Sequence, residues 1–106
     1  MLREDHSTDF KSLTNELRHI KPKGWSVVVG LNGLVVRPKD RMTGKFHISF
    51  VSADKCCAAF FSRELNYWNK YKYFDPNVSL AVSLKEWMES AAADPLKRES
   101  DWSEDS

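Results

Sequence analysis

The stretch Trp25-Ser26-Val27-Val28-Val29-Gly30-Leu31-Asn32-Gly33-Leu34-Val35-Val36-Arg37 decides the fold. Two runs rich in β-branched residues flank Asn32-Gly33, the dipeptide that best tolerates the positive φ angles of a type I′ turn, so the stretch predicts a β-hairpin. β-branched side chains suit a pleated surface and lose rotamer freedom in a helix, which reinforces that assignment. Pro38 has no amide hydrogen for a ladder and ends the second strand. Beyond it, Lys39-Asp40-Arg41-Met42-Thr43-Gly44 reads as a charged loop, and residues 45–51 alternate again. Phe46, Ile48 and Phe50 fall on one face of that third strand, His47 and Ser49 on the other. A three-stranded antiparallel sheet with one apolar face needs a layer to cover it.

Helical periodicity flanks the sheet. Phe10, Leu13, Leu17 and Ile20 form one apolar stripe, predicting a helix over 8–20 with Ser7 as its cap and His19 near its carbonyl end. Lys21-Pro22-Lys23-Gly24 stops it. On the other side, Ser52 offers a cap, and Cys57, Phe61, Leu65 and Trp68 recur at helical spacing. They predict a helix over 53–70 lying across the sheet, with Trp68 as a buried anchor. Residues 76–93 admit two descriptions. Val78, Leu80 and Val82 alternate as a short strand would, followed by a helix over 84–93 with a Ser83–Glu86 capping box that buries Leu84, Trp87, Met88 and Ala91. Alternatively, one helix starts near Pro76. The expected architecture is a small α+β domain: an α-β-β-β-α core with an antiparallel sheet, then a short strand and a C-terminal helix. One globular domain spans 1–94, and 95–106 is expected to be a mobile acidic tail.

The 106 residues suffice for one core, and 42% hydrophobic residues with four Trp, three Tyr and six Phe argue against a disordered chain. The start carries Glu4 and Asp5 and no apolar stretch, and no segment has the length of a membrane span, so a cytoplasmic protein without membrane contact is expected. Cys56 and Cys57 are adjacent, too close for an ordinary disulfide, and read as two small buried residues.

Charge is distributed unevenly. Residues 18–72 hold eleven Lys and Arg against three Asp and Glu, whereas residues 75–106 hold three against eight. A net charge of +1 therefore conceals a basic body and an acidic end, which points to an anionic partner. The densest basic segment is the loop bearing Arg37, Lys39, Arg41 and Lys45, and Lys21, Lys23, Lys70 and Lys72 share its sign. Around the last two lies an aromatic stretch, Tyr67-Trp68-Asn69-Lys70-Tyr71-Lys72-Tyr73-Phe74, in which Tyr71 is a candidate for stacking on bases while lysines meet phosphates. The plainer alternative is a solvated loop that keeps a sheet edge soluble, with tyrosines that merely pack.

No pattern for catalysis or a cofactor emerges. Gly30-Leu31-Asn32-Gly33 lacks the residues of a phosphate loop. His6, His19 and His47 fall on separate elements, and neither Cys-x-x-Cys nor His-Glu-x-x-His occurs, so no metal site and no enzyme is expected. In the tail, Asp101, Glu104 and Asp105 surround Trp102, which suits an internal competitor for the basic surface or an anchor for a partner. Two functions follow as expectations. One is a non-enzymatic nucleic-acid-binding accessory protein; the other is an adaptor or inhibitor that docks on a larger protein through its tail or sheet edge.

Overall fold

The computed structural model describes residues 10–97, 99 and 100. Helix α1 (Phe10–Ile20) opens the chain, followed by strands β1 (Ser26–Val29), β2 (Leu34–Arg37), β3 (Gly44–Ser52), β4 (Lys55–Ser62) and β5 (Tyr67–Phe74), helix α2 (Leu80–Ala93) and a two-residue strand β6 (Glu99–Ser100). The strands lie in sequence order, antiparallel from β1 to β5, with β6 added parallel to β5. The α+β class, the antiparallel sheet and the closing helix thus stand as expected.

The elements themselves differ from expectation between residues 53 and 83. The helix over 53–70 does not form; its residues make β4, a turn and the first half of β5. Cys56, Ala58 and Phe60 are fully buried while Cys57, Ala59 and Phe61 face the other way, which is strand alternation. Both faces of this strand are largely apolar, so the sequence shows a continuous apolar run that fits helical spacing equally well. Asn66 breaks that run: its φ of 63° is left-handed, and its amide donates to the Ser62 carbonyl at 2.7 Å, closing the β4–β5 turn. Ser52 and Asp54, expected to open a helix, bond to each other at 2.8 Å within the preceding turn.

The predicted hairpin forms, but through the four residues 30–33, with the Gly30 amide donating to the Gly33 carbonyl at 2.7 Å. Asn32 does not take a positive φ, so the turn is not type I′. The short strand near Val78 is also absent, and α2 starts at Leu80. The Asn77 side-chain oxygen accepts from the Ser79 amide at 2.9 Å just before it, and Ser83 lies inside the helix rather than capping it.

Both helices cover one face of the sheet. Leu13 and Leu17 of α1 and Leu80, Leu84 and Met88 of α2 pack on Leu34, Val36, Phe46, Ile48, Ala58 and Phe60. Each such large side chain contributes about 1.5–3 kcal/mol by leaving water. Phe46 is central, with Trp25 stacked on it at 5.9 Å, Phe60 at 4.7 Å and Trp87 edge-on at 5.9 Å. The Arg18 guanidinium ties α1 to the sheet by donating to the Val27 carbonyl at 3.2 and 3.3 Å.

Candidate anion-binding cleft on the open sheet face

Strand register assigns each side chain to a face. Val27, Val36, Phe46, Phe60 and Lys70 form one row beneath the helices. The neighbouring positions form rows on the opposite face, which neither α1 nor α2 covers: Val28, Val35, His47, Ala59 and Tyr71 in one, and Lys45, Phe61 and Trp68 in the next. Arg37 adjoins Lys45 at the end of β2.

At this end of the open face lies a cleft of about 180 Å³ lined by Arg37, Arg41, Gly44, Lys45, Phe61 and Arg63. Backbone bonds assemble it. The Asp40 carboxylate accepts from the Met42 amide at 3.0 Å and the Asp40 carbonyl from the Thr43 amide at 3.0 Å, which folds the β2–β3 loop on itself. The Arg63 amide then donates to the Thr43 carbonyl at 3.2 Å and brings the β4–β5 turn alongside that loop. Gly44 permits the approach, since its φ is 143° and a Cβ there would run into the Phe61 carbonyl oxygen. Two segments distant in sequence thereby supply one cluster of cations.

Lys45 Nζ lies 5.6 Å from the centre of the Phe61 ring, a cation–π arrangement. None of the four cations forms an ion pair among the described residues, where the pairs are Lys55–Asp75 and Lys85–Glu89. Like charges held together over a low-dielectric aromatic floor raise the local positive potential and attract anions. Beside the cleft stands Trp68, 47% exposed, edge-to-face with Phe61 at 5.3 Å and with His47 at 6.5 Å. The expectation of a buried Trp68 fails with the helix that produced it.

The candidate cations divide into three groups. Arg37, Arg41 and Lys45 meet at the cleft, together with Arg63, which sequence reasoning passed over because it sat inside a supposed helix. Lys21, Lys23 and Lys39 belong to loops at the same end of the sheet, and the Lys39 stem packs beside Gly24. The α1–β1 and β2–β3 loops, the β4–β5 turn and the adjoining ends of β2 and β3 carry seven Lys and Arg against Asp40 and Glu64. Lys70 and Lys72 do not join them. Lys70 is 2% exposed beneath α2, where its ammonium donates to the Asp94 carbonyl at 2.7 Å and to the Lys97 carbonyl. Asn69 donates to the carbonyls of Pro95 and Lys97, at 2.9 and 3.0 Å, so this part of β5 anchors the chain that follows α2. Lys72 shares the helix-side row with Ala58, towards the far end of β5, and sits 5.7 Å over the Phe74 ring. Tyr71 does lie on the open face, half-buried and edge-on to Tyr73 at 5.8 Å. Trp102 and the acids around it lie outside the described residues.

The cysteines split between the two faces. Cys56 is buried in the core, and burial, reinforced by neighbouring Cys57, pushes its thiol up to about 12. Cys57 is half-buried on the open face. Adjacent strand residues point apart, so the pair cannot jointly hold a metal with His47. Among the described residues no three His, Cys, Asp or Glu side chains come together as a metal site, and no helix is long and apolar enough to cross a membrane. Comparison with protein-family models, with curated proteins and with solved structures returns no match.

Proposed function

We propose that this protein is a small non-enzymatic nucleic-acid-binding accessory protein that grips a phosphate backbone with Arg37, Arg41, Lys45 and Arg63. The observation that carries the proposal is the convergence of these four cations, none ion-paired among the described residues, around Phe61 on the sheet face that α1 and α2 leave open. Arginine suits the task because its planar fork matches phosphate oxygens. Lys21, Lys23 and Lys39 extend the same positive end and steer encounter. The acidic tail acts as an internal competitor. Such competition rests on charge and weakens as salt screens it. The buried thiol of Cys56 fits a reducing, cytoplasmic setting.

Fluorescence anisotropy with labelled DNA and RNA, at low and high salt, tests the proposal. Affinity that falls steeply with salt is expected, because phosphate contacts release condensed counterions. Flat or absent binding would overturn it. An adaptor role is the second reading, favoured by the exposed Val28 and Val29 on edge strand β1. If Val28→Lys abolishes capture of a protein partner while nucleic acid fails to bind, that second reading prevails.

A further inference from the structure

Resting on the nucleic-acid reading, we infer that the ligand is single-stranded, with a base stacked on the Trp68 indole and its phosphate in the adjoining cationic cleft. The three tryptophans among the described residues differ in what surrounds them. Trp25 is already stacked, with an interplanar angle of 16°, on core Phe46, and Trp87 is wedged edge-on between Phe46 and Phe74. Trp68 is 47% exposed on the open face, and its ring neighbours there, Phe61 and His47, meet it at 70° and 76°. Both stand nearly perpendicular to the indole, and no ring among the described residues lies parallel on it. A large exposed aromatic surface is costly in water and is offset when a base covers it.

The neighbourhood specifies the rest. Phe61 belongs both to the floor of the cleft and to the Trp68 cluster, so the indole and the cations are one ring apart. That spacing is on the scale of one nucleotide, from its base to its phosphate. In a duplex the bases are stacked on one another inside the helix and are not free to cover an indole on a sheet face. A single strand can offer base and phosphate together. A polyanion without bases would use only the arginines and lysines.

The experiment uses the full chain carrying Trp102→Phe, so that fluorescence reports Trp25, Trp68 and Trp87 only. Its probes are oligo(dT) and oligo(rU), a duplex of equal length, and inorganic polyphosphate of matched charge. Tryptophan quenching by the single strands is expected. Trp68→Ala should weaken single-strand binding about tenfold, Trp68→Phe should restore most of that loss, and neither should alter polyphosphate binding. Thermal melting of each variant checks that the fold survives. Equal affinity for duplex and single strand, or a Trp68→Ala variant that binds oligonucleotides undiminished, would overturn the stacking while leaving the cleft in place. If neither oligonucleotide nor polyphosphate binds the parent chain, the nucleic-acid reading itself falls, and this inference with it.

Discussion

Replacing Arg41 and Arg63 by alanine removes two of the four cleft cations and leaves Arg37 and Lys45 in place. Both side chains are exposed, and the bond that joins their segments runs from the Arg63 amide to the Thr43 carbonyl, so the backbone arrangement persists. If each cleft cation neutralises one phosphate of a single strand, log affinity should fall against log salt with a slope of about −2.8 for the parent and about −1.4 for the double variant. Between 50 and 200 mM salt the parent should then lose about 50-fold in affinity, and the double variant only about sevenfold. Anisotropy titrations at four or five salt concentrations give both slopes directly. Lys72→Ala serves as the control, because Lys72 lies on the helix-side row toward the opposite end of the sheet and should leave the slope unchanged. A double variant that retains the parental slope would refute the reasoning, whatever its absolute affinity, since counterion release would then originate elsewhere. A Lys72→Ala variant that lowers the slope as much as the double variant would equally show that the cleft is not the contact surface.

Other consequences concern the scaffold. Gly44→Ala places a Cβ against the Phe61 carbonyl at a left-handed φ, and a loss of about 2 kcal/mol is expected, read from urea unfolding. Lys70→Met strips the ammonium donor from the carbonyls of Asp94 and Lys97. Stability should drop by about 2 kcal/mol, and amides following α2 should exchange faster with deuterium. The Cys56 thiol titrates near 9.0 when unfolded and is pushed up to about 12 in the fold, so its contribution to stability is complete below the first value and is lost as pH rises toward the second. Cys56→Ala should therefore lose less stability than the parent over that alkaline range, as measured by denaturant midpoints at successive pH values.

Patterns confined to a single element were legible in the sequence. The α1 stripe holds because Leu13 and Leu17 recur at the pitch of an isolated helix, whatever they pack on. The β1–β2 hairpin and the alternation of β3 hold for the same reason, although the turn type did not follow from Asn32-Gly33 alone. The β4–β5 region was illegible because Cys57, Phe61 and Trp68 satisfy helical spacing while also lying on one sheet face. Only partners across the strands distinguish the two: Phe60 opposite Phe46, and Phe61 opposite Lys45. The left-handed Asn66 was the available turn signal, but it sat in the middle of an apparently continuous helix. The candidate site inherited that error, since Arg63 and Trp68 can be seen beside Arg41 and Lys45 only once the strands are paired.

Sequence by itself therefore determined that the chain is α+β, that a helix precedes a hairpin and an alternating strand, and that positive charge is concentrated before residue 75. These follow from period, turn chemistry and composition, which act over a few residues. Tertiary structure alone decided that β4 and β5 extend the sheet, that Lys70 is buried while Trp68 is exposed, and which cations meet. Those outcomes depend on hydrogen bonds and packing between segments far apart in the chain, and such free energies belong to the pairing rather than to either partner.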